Sequence, residues 1–184
     1  TLKKGFITES FDGIEYMITP NSFFQSNSEI ALQMYRKILA NVKGNTLDLY
    51  SGVGSISLFV ASAADKVTGV EISDESVATA EQNRELNEIE NVEFICRDAA
   101  EFVVEHKGEY QTLILDPPRS GMHPKMMSHI HEMNPERIIY MSCNPSTFRD
   151  DVKLLENYKI DSFEAYDMFP QTPHIETLAV LSRK

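Results

Sequence analysis

The chain has 184 residues, 42% of them hydrophobic, which is enough to bury one core and too little for two ordinary ones. Its 17 Lys and Arg stand against 28 Asp and Glu, and the resulting formal charge of −11 opposes a phosphate backbone, which excludes a self-sufficient basic nucleic-acid binder. No apolar run approaches the roughly eighteen residues of a membrane span, and the opening TLKKGFITES lacks the apolar stretch of a signal peptide, so a cytoplasmic protein is expected.

Residues 1–27 read as a leading unit. The chain opens on a strand-like stretch, a hairpin between Gly5 and Thr19 turns at Asp12-Gly13, and a polar loop runs from Pro20 to Asn27. Residues 28–184 read as one further domain. Ile30, Met34, Ile38 and Val42 recur at helical spacing behind Ser28, a good cap, and Gly44 offers a stop. Strand-like runs follow at Thr46 to Tyr50, Val67 to Ile72, Val92 to Cys96, Thr112 to Leu115 and Arg137 to Met141. Helical stretches separate them, including Asp74 to Asn87 and Pro124 to Met133. Repeated βα units mean a parallel sheet covered by helices on both faces. After a helix expected at Ser146 to Glu156, two strands around Ile160 to Met168 and Leu178 to Ser182 should pair as an antiparallel hairpin. The acidic stretch Glu85 to Glu93 reads as a solvated helix end.

The segment from Leu47 to Ser55, with Gly52 and Gly54, leaves a strand and enters a helix, so it permits a tight turn and close approach of a ligand to backbone. Glu71 closes the next strand about twenty residues on, where a carboxylate can accept both ribose hydroxyls of an adenosine. A dinucleotide site would need a third glycine, and Ser57 stands there instead. A ligand without phosphate, with adenosine at one end and an amino acid at the other, fits better. S-adenosylmethionine is such a ligand, and Asp48, Ser51 and the loop amides can receive its polar end. Asp98 ends the run after Val92, where it either meets the adenine amino group or caps a helix before Ala99.

Asp116-Pro117-Pro118-Arg119 and Ser142-Cys143-Asn144-Pro145 each follow a parallel strand, at the edge where ligands bind in open α/β sheets. The Asp-Pro-Pro turn alone suits methyl transfer to an exocyclic amine. Cys143 suits a different acceptor. Carbon 5 of uracil is a poor nucleophile until a thiolate adds at carbon 6, and the reaction then needs a base for the carbon 5 proton. Cys143 heads a helix whose amino end would favour thiolate. Cys96, inside the apolar VEFIC, reads as inert packing, and the unlike contexts of the two cysteines argue against a disulfide. Glu176, in His174-Ile175-Glu176-Thr177, is a candidate base in a loop between strands, although composition alone would make it a surface glutamate.

Five motifs occur together and in order: Phe23-Phe24-Gln25, Asp48 to Gly54, Asp116 to Gly121, Ser142 to Pro145, and His174 to Thr177. In this the chain resembles the RNA uracil-5-methyltransferase family, which modifies transfer or ribosomal RNA, from about Pro20 to its end. The resemblance implies the S-adenosylmethionine-dependent methyltransferase fold, a Rossmann-like parallel sheet closed by an antiparallel hairpin. It implies Cys143 as nucleophile and Glu176 as base, with Gln25, Tyr50, Glu71 and Asp116 lining the cofactor or the transferred methyl. Tyr50 fits the family, because general methyltransferases place glycine at that step. Ser55, a further expected cofactor contact, falls where many relatives carry Asn, and Ser51 where many carry Cys. Phe23 or Phe24 stacks on a flipped base or packs in the core, and Arg119, with Lys125 and Arg149, can orient a phosphate. Relatives usually carry an amino-terminal RNA-binding barrel, so the RNA contacts are expected upstream of this segment, and no metal is expected within it. An amino-group methyltransferase and a non-catalytic cofactor-binding module stay open as alternatives.

Overall fold

The computed structural model describes residues 5–20 and 22–184. The expected opening strand falls partly on residues 1–4, outside the described residues. The hairpin pairs β1 (Ile7–Phe11) with β2 (Ile14–Ile18), and its turn places Asp12 and Gly13 at φ 49° and 90°, as a two-residue turn requires. Helix α1 (Ser28–Leu39) is capped one residue earlier than the sequence suggests, because the Asn27 side chain accepts from the Ile30 amide. It also ends before Gly44, which instead turns the chain at φ 64° into β3 (Asn45–Leu49).

The alternation then runs α2 (Ser55–Val60), β4 (Lys66–Glu71), α3 (Asp74–Leu86), β5 (Val92–Cys96), α4 (Ala99–Glu105) and β6 (Thr112–Leu115). It continues with α5 (Pro124–Met133), β7 (Arg137–Ser142), α6 (Pro145–Val152), β8 (Tyr158–Tyr166) and β9 (Glu176–Arg183). Helix α6 stops short of the expected Glu156. Beyond it the chain tightens into three-residue turns, from Leu154 to Asp151 and from Leu155 to Val152, which bring Leu155 into the core.

The sheet has the order β5-β4-β3-β6-β7-β9-β8. Strands β3 to β7 are parallel, and β9 inserts antiparallel between β7 and β8. The parallel sheet closed by an antiparallel pair is thus the architecture observed. Alternate side chains serve opposite faces, as strand geometry dictates. Ile114, Ile139, Met141 and Leu178 join the core under the hairpin, α1, α2 and α3. Leu113, Leu115, Ile138, Tyr140 and Leu181 join the core under α4, α5 and α6.

The hairpin docks by shape and by the side-chain amides of Asn83 and Asn87, the latter accepting from the Glu15 amide (2.8 Å) and donating to the Glu15 carbonyl (2.7 Å). Phe11 and Tyr16 are buried against Phe24 and Tyr35. Asn83 of α3, fully buried, accepts from the Met17 amide (2.7 Å) and donates to the carbonyls of Met17 (3.2 Å) and Val53 (3.1 Å). It ties the hairpin to the glycine loop after β3. Replacing Asn83 with Ala strands these buried groups, so stability should fall by about 2 to 4 kcal/mol. Urea denaturation measures this. A loss under about 0.5 kcal/mol would show that the hairpin docks without Asn83, through its aromatic packing and its other polar contacts.

Candidate active site

The loop leaving β3 is fixed on every side. Tyr50 takes the left-handed conformation, φ 66°, which is uncommon for a non-glycine, and its amide and that of Ser51 donate to the Val70 carbonyl at 2.9 and 3.1 Å. Gly54, at φ 78°, is required by contact as well as conformation, since a Cβ there would lie 2.5 Å from the Phe94 ring. Glu71 ends β4 and draws the loop to it. Its carboxylate accepts from the amides of Gly52 (3.1 Å), Ile72 (2.9 Å) and Ser73 (3.0 Å).

Above this loop opens a cleft of about 480 Å³, and most of the residues singled out from the sequence line it. The polar loop contributes Phe23, Phe24 and Gln25; the β3 loop contributes Tyr50 and Ser55; Glu71 comes from β4. Asp116 and Arg119 reach it from the end of β6, Cys143 from the end of β7, and Glu176 from β9. The two phenylalanines part company. Phe24 packs 5.4 Å from Phe11 and 5.5 Å from Tyr16, whereas Phe23 stands 72% exposed at the cleft. Asp98 is not among the lining residues, and its carboxylate caps α4 by accepting from the amides of Ala100 and Glu101. Tyr35, Ser73 and Ser76 line the cleft without having been anticipated. Tyr35 lies on the apolar face of α1, where the sequence signal is that of a core residue.

Glu176 is the first residue of β9 rather than part of a loop. The β7–β9 register pairs Ser142 with Thr177, and the Thr177 hydroxyl donates to the Ser142 carbonyl at 3.1 Å. That puts Glu176 beside Cys143. Arg119 Nη2 donates to His174 Nδ1 at 3.2 Å, and Asn144 Nδ2 donates to the Arg119 carbonyl at 3.4 Å, so the three carboxyl-edge turns are linked.

Four carboxylates, Asp48, Glu71, Asp116 and Glu176, line the cleft against one guanidinium, that of Arg119. Burial raises Asp48 to about 7 despite the Ser57 hydroxyl it accepts from, and raises Asp116 to about 6. Burial and then Asp116 raise Glu176 to about 7. The same forces act on Cys143, which burial, Glu176 and Asp116 push above its ordinary value while Arg119 opposes them. At the amino end of α6, Pro145 has no N–H and the Asn144 side chain already accepts from the Ser146 amide, so neither position offers a free donor to a Cys143 thiolate. Gln25 Oε1, Asp48 Oδ1 and Ser51 Oγ are buried without a hydrogen-bond partner, and all three belong to lining residues. Such groups mark a place for a polar ligand.

Glu176 binds its proton more tightly folded than unfolded, so its contribution to stability is greatest at low pH and is lost as pH rises through about 7. Glu176→Gln should therefore stabilise the protein at pH 8, on the order of 2 kcal/mol, and much less at pH 5. Thermal denaturation at the two values tests this, and an equal effect at both would show that Glu176 is not held neutral by its surroundings.

The model of the family described as tRNA (Uracil-5-)-methyltransferase matches residues 2–184. A tRNA (uracil(54)-C(5))-methyltransferase of Pyrococcus furiosus is 41% identical over 181 residues, which are 98% of this chain and 43% of that protein. An uncharacterized RNA methyltransferase of Clostridium tetani is 43% identical over 187 residues, covering 98% of this chain and 41% of that one. This chain thus spans about two fifths of the length of these relatives. The crystal structure of Pyrococcus abyssi tRNA (uracil-54, C5)-methyltransferase in complex with S-adenosyl-L-homocysteine superposes with a TM-score of 0.89 at 42% identity, covering 97% of this chain and 44% of that one. A S-adenosylmethionine-dependent methyltransferase from Agrobacterium tumefaciens shares the fold at 15% identity, with a TM-score of 0.72 over 98% of this chain and 71% of that one. The chain has the fold of S-adenosylmethionine-dependent methyltransferases and belongs to the tRNA (uracil-5-)-methyltransferase family.

Proposed function

We propose that this chain is the catalytic part of a cytoplasmic enzyme that uses S-adenosylmethionine to methylate carbon 5 of a uridine in transfer or ribosomal RNA, through a covalent adduct on Cys143. One observation carries the reading. Cys143, directly after β7, and Glu176, the first residue of β9, line one cleft with Asp116 and the glycine loop. An amino-group methyltransferase would use Asp116-Pro117-Pro118 and leave both of the others without a task, and a binding module would need neither.

The cleft suits the cofactor. A sulfonium and an ammonium complement its excess of carboxylates, and the three unpartnered oxygens on Gln25, Asp48 and Ser51 await polar partners. Glu71 would hold the ribose, with Tyr50, Ser55 and Gln25 along the rest of the molecule and Asp116 near the reacting end. Bound there, the cofactor supplies an electrophilic methyl group, which carbon 5 can accept only once the ring has been activated. Cys143 provides that activation: its sulfur bonds to carbon 6 and the ring π electrons move toward carbon 5. Once carbon 5 carries the methyl group, which would leave the cofactor as S-adenosylhomocysteine, Glu176 takes the carbon 5 proton, the ring double bond re-forms, and the carbon–sulfur bond breaks to release Cys143. A carboxyl with a pKa of about 7 is matched to accepting that proton near neutrality. Phe23, exposed at the mouth, would stack on the extruded base, and Arg119 would meet a neighbouring phosphate.

RNA capture is assigned to a surface beyond these residues. The net charge of −11 repels phosphate, and the relatives are more than twice as long. The relatives from Pyrococcus furiosus and Pyrococcus abyssi act, by their names, on uracil 54 of tRNA, which favours tRNA as substrate. In the full-length parent, Cys143→Ser should lower methylation by roughly a thousandfold or more while cofactor binding persists. Glu176→Gln should accumulate a methylated protein–RNA adduct on a denaturing gel. Normal turnover in Cys143→Ser would overturn the covalent mechanism.

A further inference from the structure

Tyr35 is 2% exposed and packs edge-on against Phe11 and Phe59, at ring distances of 5.5 and 5.6 Å, yet it lines the cleft. Its hydroxyl lies 2.9 Å from Ser55 Oγ. The seat is itself fixed, because the Ser55 carbonyl accepts from the Tyr16 hydroxyl at 3.0 Å. A phenol has one proton to give and can also accept, so with Ser55 donating to it the Tyr35 proton is left for a ligand. Burial keeps that proton on Tyr35.

The strand order says which part of a ligand it meets. Glu71 ends β4, Asp48 lies within β3 and Asp116 directly follows β6, and these three strands are neighbours in the sheet. Tyr35 feels the charges of Asp116 and Asp48. With ribose at Glu71, the amino-acid end of the cofactor extends toward β3 and β6. A ligand carboxylate beside Asp48 and Asp116 is repelled unless a donor faces it, and a buried neutral phenol supplies one without a charge of its own.

We propose that Tyr35, seated by Ser55, is a cofactor-binding residue that donates to the carboxylate at the amino-acid end of S-adenosylmethionine. The proposal rests on the reading of the cleft as that cofactor's site. Calorimetry on this chain tests it with two probes, S-adenosylhomocysteine and 5′-methylthioadenosine, which lacks the amino-acid end. Tyr35→Phe should weaken the first about tenfold and leave the second unchanged. Ser55→Ala, which keeps the ring but removes its seat, should show the same selectivity with a smaller loss, and it carries the test if Tyr35→Phe does not fold. Unchanged affinity for S-adenosylhomocysteine, or an equal loss for both probes, overturns the role of Tyr35 and leaves the reading of the cleft intact. Failure of the unsubstituted chain to bind either probe overturns both.

Discussion

The Thr177 hydroxyl donates to the Ser142 carbonyl inside the antiparallel pairing of β7 and β9, and the chemistry available to the cleft follows from that pairing. Five strands run parallel and deliver their carboxyl ends to one edge, where Tyr50, Glu71, Asp116 and Cys143 collect. A sixth parallel strand would bring another carboxyl end. Because β9 runs the other way, its first residue arrives at that edge, and Glu176 comes to stand beside Cys143. Cys143 and Glu176, more than thirty residues apart in the chain, are thereby brought together by the last ladder pair, Ser142 with Thr177, which each of them adjoins.

The same assembly concentrates negative charge. Asp48, Asp116 and Glu176 are each raised to between about 6 and 7, mainly by burial, and Cys143 is pushed upward with them. This is costly for a protein alone and favourable for one that receives a cation. A sulfonium and an ammonium in the cleft would draw the carboxylates back toward ionisation and make thiolate easier to form at Cys143. Cofactor binding and nucleophile activation are, on this reading, one electrostatic event.

The βα alternation was legible because each parallel strand but the edge strand β5 is a mostly apolar run buried on both faces, bounded by polar turns. The strand ends, and with them Glu71, Asp116 and Cys143, could be located from those runs. Caps were read less well. Asn27 rather than Ser28 caps α1, since two adjacent capping residues give no local reason to choose between them. Glu176 looked like a surface residue, for its burial comes from the β7–β9 register, which no local pattern encodes. Tyr35 was hidden for the opposite reason: its position on the apolar face of α1 makes it a core residue, although it also lines the cleft. The helix-end argument for Cys143 overlooked that Pro145 offers no amide and that Asn144 already takes that of Ser146.

The central claim is that Cys143 forms a bond to the target uracil. The full-length parent should be incubated with S-adenosylmethionine and RNA containing 5-fluorouridine, whose fluorine cannot leave as the proton does, so that the reaction stops at the adduct. Digestion and mass spectrometry should then find the peptide bearing Cys143 carrying a nucleotide that holds both the fluorine and a new methyl group. Methyl transfer with no adduct, or an adduct on any other residue, would contradict the account.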